Sequence, residues 1–130
     1  MNEFILPAFL NLLQPLNIFL MIAGLAGGIV VGALPGLTAT MGVALMVPVT
    51  FSMDPMNGLV MLGAIYVGAI YGGANSAILI CTPGTPSSVA TTFDGYPMAQ
   101  KGEAMKALGV GIVFSFLGSV FSFIILTFFA

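Results

Sequence analysis

The hydrophobic pattern of this chain is defined by what interrupts it. No formal charge occurs from Phe4 to Met53 or from Pro55 to Phe93, and the interruptions within those runs are glycine, proline and hydroxyl residues. Residues 1–16 mix Phe4, Ile5, Leu6, Phe9, Leu10, Leu12 and Leu13 with Asn2, Glu3, Asn11 and Gln14, a pattern that predicts a short interfacial helix. Residues 17–34, NIFLMIAGLAGGIVVGAL, predict a spanning helix, since about 20 apolar residues cross the hydrocarbon of a bilayer. Gly24, Gly28 and Gly32 recur on it every fourth residue, a row that lets a second helix approach closely.

Beyond Pro35-Gly36 the segment 35–53 is too short to span and contains Pro48, so it predicts a half-helix or re-entrant element. Residues 57–73 form a second spanning segment, again with close-packing glycines at 58, 63, 68 and 72. Residues 74–93 hold only a short apolar core before Thr82-Pro83-Gly84-Thr85-Pro86-Ser87-Ser88, which predicts a second broken or re-entrant segment. Residues 94–106 read as the one hydrophilic loop, and residues 107–130 as a third span. The expected fold is an all-α integral membrane protein with several transmembrane helices and Pro-Gly breaks, in a single membrane domain.

Composition narrows the class. Hydrophobic residues make up 59% of the 130 and charged residues 5%, against roughly 25% charged in soluble domains. Two lysines, no arginine and a net charge of −2 leave no electrostatic footprint for nucleic acid. With no histidine and one cysteine there is no zinc set, disulfide or Ser/His pair, so no enzyme and no bound cofactor is expected. No basic n-region precedes the first apolar run, so the N-terminus reads as part of the mature protein. The last span ends without a hydrophilic stop, which predicts the front piece of a longer permease. Lys101 and Lys106 place the 94–106 loop on the cytoplasmic side, though against Glu103 the bias is faint.

The chemistry on offer lies in the two breaks. Leu34-Pro35-Gly36-Leu37-Thr38-Ala39-Thr40 and Thr82-Pro83-Gly84-Thr85-Pro86-Ser87-Ser88 both put Pro-Gly and then hydroxyls inside charge-free sequence. Unwound backbone at membrane depth is tolerated where it lines a cavity or is buried in protein. In transporters such breaks expose helix N-termini that suit an anionic substrate and carbonyls that suit a coupling cation. Candidate substrate-binding residues are therefore Pro35, Gly36, Thr38, Thr40, Pro83, Gly84, Thr85, Ser87 and Ser88, with Asn75 and Ser76 in apolar surroundings nearby. A plain interfacial loop with helix-capping hydroxyls is the competing reading for either break alone. Asp54 reads as an N-cap, Asp94 as turn chemistry before Gly95, and Tyr66 and Tyr71 as packing residues. The nine methionines read as core filler and Cys81 as inert.

Several motifs together resemble a known family. They are Gly32-Ala33-Leu34-Pro35-Gly36-Leu37, Tyr66-x-Gly68-Ala69-x-Tyr71-Gly72-Gly73, Ala77-Ile78-Leu79 with Thr82-Pro83-Gly84-Thr85-Pro86, and Thr92-Phe93-Asp94-Gly95-Tyr96-Pro97-Met98-Ala99 through Ala107-Leu108-Gly109. From about residue 15 to 120 the chain resembles the large permease subunit of the tripartite tricarboxylate transporters. The resemblance implies a bacterial inner-membrane, multi-pass secondary transporter that takes up citrate or related carboxylates on an Na⁺ or H⁺ gradient. It further implies a small membrane subunit and a periplasmic substrate-binding protein as partners, and a native chain about four times longer. The two Pro-Gly breaks would then line the translocation site. Leu37-Thr38-Ala39, Ala74 and Cys81 depart from the family's usual Leu-Gly-Pro, Ser and Asn, so specificity is expected to differ from citrate if those side chains touch substrate. A small oligomeric membrane pore or assembly subunit is the rival reading, held together by the glycine faces.

Overall fold

The computed structural model describes residues 2–129; Met1 and Ala130, the outer ends of the first and last expected segments, lie outside it. The described residues form six α-helices and one 3-10 turn, with no strand among them. Helix α1 covers Asn2–Leu12, α2 Pro15–Ala33, α3 Ala39–Thr50, α4 Pro55–Ile80, α5 Val89–Gln100 and α6 Ala104–Phe129. Three of them, α2, α4 and α6, are long and apolar enough to cross a membrane.

Local chemistry sets most of the helix ends. Pro15 and Pro55 open α2 and α4 at the first turn, where a missing N–H costs nothing. Asn17, 1% exposed, donates Nδ2–H to the Asn11 carbonyl at 2.8 Å and ties α1 to the start of α2. After α2 the chain reverses over Leu34-Pro35-Gly36-Leu37, where Leu37 N–H reaches the Leu34 carbonyl at 3.2 Å and Gly36 takes φ +93°. Proline followed by a left-handed glycine is the signature of a type II turn. Thr38 then caps α3 by accepting from Met41 N–H at 3.3 Å.

The core is the pairing of α2 with α4, and its glycines decide the geometry. A Cβ at Gly24 would lie 2.9 Å from the Met61 carbonyl oxygen, while one at Gly28 would overlap the Ile65 carbonyl and one at Gly32 that of Ala69. In return, Cβ atoms at Gly68 and Gly72 would overlap the carbonyls of Leu25 and Ile29. Residue numbers rise together on the two helices, so they run parallel. Backbones this close draw their attraction from dispersion and weak Cα–H···O contacts rather than from side-chain bulk. Ile65 and Ala69 are buried along the seam, and Ala77 and Ile78 are buried further along α4. Helix α3 runs back against the pair, with Gly42 near Val31 and Ile65 and Thr50 near Gly58.

Three boundaries differ from the sequence expectation. Helix α3 passes through Pro48 to Thr50 instead of breaking there; Pro48 lies near its C-terminus, so few turns are disturbed. Helix α4 does not stop at residue 73 but continues through Ala74, Asn75 and Ser76 to Ile80. The Ser76 hydroxyl satisfies itself on the Gly73 carbonyl at 3.0 Å, and Gly72 and Gly73 are held by close neighbours. Residues 94–100 belong to α5, so the connection to α6 shrinks to Lys101, Gly102 and Glu103. Gly95 is buried there, against Ile78, and Pro97 falls in the last turns, so neither acts as a breaker.

Helix α6 packs against α5 near its start, where Ala107 is buried, and almost all of the rest is exposed apolar surface. At 26 residues it is about 39 Å long, more than enough for a bilayer.

Candidate functional site

The second Pro-Gly segment folds back onto the α2–α4 seam. Helix α4 ends at Cys81, which adopts the left-handed conformation at φ 56° and sends its N–H to the Ser76 carbonyl. The chain then descends, so that a Cβ on Gly84 would overlap the Gly32 carbonyl oxygen and meet Gly73 Cα at 3.0 Å. Gly73 in turn faces Thr85, whose Oγ1 lies 2.7 Å from where a Cβ would stand. From Ile80 back to the level of Gly73 is about 10 Å along the α4 axis. Three glycines, Gly32, Gly73 and Gly84, make this return possible.

The descent ends in a cluster of hydroxyls. Thr85 N–H donates to Ser88 Oγ at 3.3 Å, and the Ser88 hydroxyl donates to the Thr85 carbonyl at 2.7 Å. The Thr85 hydroxyl lies 3.1 Å from Ser87 Oγ and 3.3 Å from Ser88 Oγ. This capping box closes a 3-10 turn over Pro86–Ser88 and leads directly into α5. Thr85 and Ser88 are buried, 4% and 3% exposed, whereas Ser87 is exposed. No formal charge lies in the loop, so its binding capacity rests on hydroxyls and on the N-terminal dipole of α5.

The structure thus joins Pro83, Gly84, Thr85, Ser87 and Ser88 in one element, with Ser76 one turn along α4 from Gly73. The first break approaches through Gly32, the contact of Gly84, while Gly36 itself has open space around it. Thr38 commits its oxygen to the α3 cap, and Thr40 is exposed on the first turn of that helix. Asn75 does not join the cluster: it lines a cleft between α4, α5 and α6, together with Thr91 and Asp94. Asp94, expected in a turn, sits within α5. The signal that could have placed it is the spacing of Thr91 and Asp94, three apart and on one helical face. Cys81, read as inert among apolar residues, is exposed. No three His, Cys, Asp or Glu side chains come together among the described residues.

Long apolar helices joined through glycine seams, with a polar loop folded into one of them, define a helical membrane protein. The sequence pattern of the tripartite tricarboxylate transporter TctA family matches residues 18–130, and the chain belongs to that family. It is 43% identical over 108 residues to an uncharacterised 52.8 kDa protein of the TAR-I ttuC′ 3′ region of Agrobacterium vitis. That match covers 83% of this chain and 22% of the relative, so the chain spans about a fifth of the relative's length. No solved structure matches it.

Proposed function

We propose that this chain forms part of the permease of an ion-gradient-driven uptake system for citrate-like tricarboxylates in a bacterial inner membrane. In this reading α2, α4 and α6 span the bilayer, and the segments around Pro35-Gly36 and Pro83-Gly84 are re-entrant breaks at the translocation path. A periplasmic binding protein delivers the carboxylate, a small membrane subunit completes the assembly, and an Na⁺ or H⁺ gradient drives the cycle. The observation that carries the proposal is the folded-back loop: Gly84 against Gly32 holds Thr85, Ser87 and Ser88, uncharged donors, at the N-terminal end of α5.

The absence of basic residues from this loop fits a carrier. A carboxylate gripped by arginines in a dry site is slow to leave, whereas hydroxyl and amide donors bind by dipoles that substrate exchanges readily for water. Thr85 and Ser88 are oriented by their mutual hydrogen bonds, and Ser87 presents the exposed hydroxyl. The test is uptake of radiolabelled citrate by cells that express the intact permease with both partner subunits. Thr85→Val with Ser87→Ala is expected to reduce uptake at least tenfold at unchanged membrane abundance; wild-type uptake in that double variant overturns the assignment.

A further inference from the structure

Residues 82–88 are held together from within and rest on the seam without hydrogen bonds to it. Thr85 N–H, the Thr85 carbonyl and the hydroxyls of Thr85, Ser87 and Ser88 are spent on one another. At the start of the segment Thr82 N–H reaches the Ser76 carbonyl at 3.5 Å and the Thr82 hydroxyl reaches the Ile80 carbonyl at 3.2 Å, both in the last turns of α4. Among the described residues no hydrogen bond joins residues 83–88 to α2 or α4. The seat is contact alone: Gly84 lies on the Gly32 carbonyl and on Gly73 Cα, and Thr85 lies on Gly73. Dispersion contacts are short-ranged, and a gap of about 0.5–1 Å already forfeits a quarter to a half of each. The segment is therefore a preformed piece whose docking is lost in one small step.

The two ends of the segment differ. Cys81, just before its first residue, is the one non-glycine residue at positive φ among the described residues, at 56°. A side chain held in the left-handed region is strained, and such residues cluster at ligand clamps and switch segments. Cys81 is exposed, so no packing around its side chain imposes that conformation. Rotation there toward the extended region relieves the strain and lifts residues 82–88 from the seam. The other end runs through Val89 into α5, which is fixed by Gly95 against Ile78. What the docked segment covers is polar: Thr85 is 4% and Ser88 3% exposed, and the Gly32 carbonyl lies beneath Gly84.

We propose that residues 82–88 form a hinged lid, here closed, that pivots at Cys81–Thr82 and at Ser88–Val89. Opening uncovers the Thr85 and Ser88 hydroxyls and the Gly32 carbonyl. It loses the glycine contacts and releases the strain at Cys81, and these opposed contributions bring the two states close in energy. A ligand with different affinity for the two then shifts the balance between them. The capping box travels with the lid, because its hydrogen bonds are internal to the segment. The motion follows from this local geometry, whereas its use as a gate for a carboxylate rests on the transport reading above.

The test is thiol labelling of the intact permease in lipid nanodiscs by a charged maleimide, in a background otherwise free of cysteine that carries Cys81→Ser. Thr85→Cys and Ile78→Cys place a thiol at positions of matched burial, 4% and 3% exposed, one in the lid and one in α4. Local opening of the lid is expected to make position 85 react at least tenfold faster than position 78. Cys81→Gly in place of Cys81→Ser removes the left-handed strain, and it is expected to slow position 85 several-fold and leave position 78 unchanged. Equal rates at 85 and 78 overturn the lid, and a rate at 85 that is the same in both backgrounds overturns the hinge at Cys81. If Thr85→Cys does not reach the membrane, Ser88→Cys, at a position 3% exposed, carries the same comparison. Citrate uptake by the permease with unaltered residues 78, 81 and 85, measured separately, distinguishes the two readings. Fast labelling at 85 without uptake upholds the lid and overturns the transport proposal, and uptake with equal labelling rates does the reverse.

Discussion

Gly84 rests on the carbonyl oxygen of Gly32, with no room between them for a methyl group. Two residues on either side of a long stretch of chain are thereby locked together, and the lock joins the end of α2 to the loop that follows α4. Gly84→Ala should force the loop off the seam, because the obstacle is backbone and cannot rotate away. Gly36→Ala meets no such obstacle; its cost is the left-handed conformation, about 1–2 kcal/mol. Citrate uptake is therefore expected to be abolished by Gly84→Ala and only reduced by Gly36→Ala, at matched membrane abundance. Equal loss in both would mean that the turn at Gly36, rather than the loop's descent, limits function.

Neighbouring glycines on α2 should behave oppositely. A Cβ on Gly27 would meet nothing within 4 Å, whereas one on Gly28 would overlap the Ile65 carbonyl. Gly27→Ala is expected to leave the unfolding midpoint unchanged or to raise it, by helix propensity worth about 0.8–1 kcal/mol. Gly28→Ala should lower the midpoint and the membrane abundance by separating α2 from α4. The comparison requires only purified protein and a thermal scan, and a Gly28→Ala protein as stable as wild type would refute the seam.

Which of these features the sequence revealed follows from how local they are. The spans α2, α4 and α6 were legible because length and apolarity alone define a membrane segment. The glycine rows at 24, 28 and 32 and at 68 and 72 announced a close seam, and the structure pairs them with each other. The ends of α4 and α5 were not legible, because Gly72-Gly73 and Gly95 carry the local signature of breakers and are compensated by tertiary neighbours: Thr85 for Gly73 and Ile78 for Gly95. The Thr82–Ser88 break was readable as a break, but its descent depends on Gly32, distant in sequence. Asn75 and Ser76 looked like one polar feature. On a helix adjacent residues point about 100° apart, and the two serve different surroundings.

The left-handed Cys81 carries a cost that a different residue would remove. Non-glycine residues adopt this conformation at about 1–2 kcal/mol, and asparagine tolerates it because its short polar side chain bonds locally. Cys81 is exposed, so replacing it disturbs no packing. Cys81→Asn and Cys81→Gly should both raise the thermal midpoint of the intact permease and leave citrate uptake in place. The resemblance to tricarboxylate permeases puts asparagine at this position, and the structure supplies a backbone reason for it. An uptake specificity that changes in Cys81→Asn while stability does not would instead favour a side chain in contact with substrate.

Ser88 and Ser87 separate the two roles a hydroxyl can take in this loop. Ser88 Oγ accepts from Thr85 N–H and donates to the Thr85 carbonyl, and it is buried, so Ser88→Ala removes the capping box and should cost about 1 kcal/mol in stability. Ser87 is exposed and shares only the Thr85 hydroxyl at 3.1 Å, so Ser87→Ala should leave the unfolding midpoint unchanged. If Ser87 is the hydroxyl offered to substrate, its loss should raise the KM for citrate uptake several-fold with little change in the maximal rate. Loss of Ser88 should lower the maximal rate and the stability together, because it holds the shape of the loop. Kinetics of uptake and thermal unfolding, run on both single variants, resolve the two. An unchanged KM in Ser87→Ala would move substrate contact away from the exposed edge of the turn and toward the amides at the start of α5.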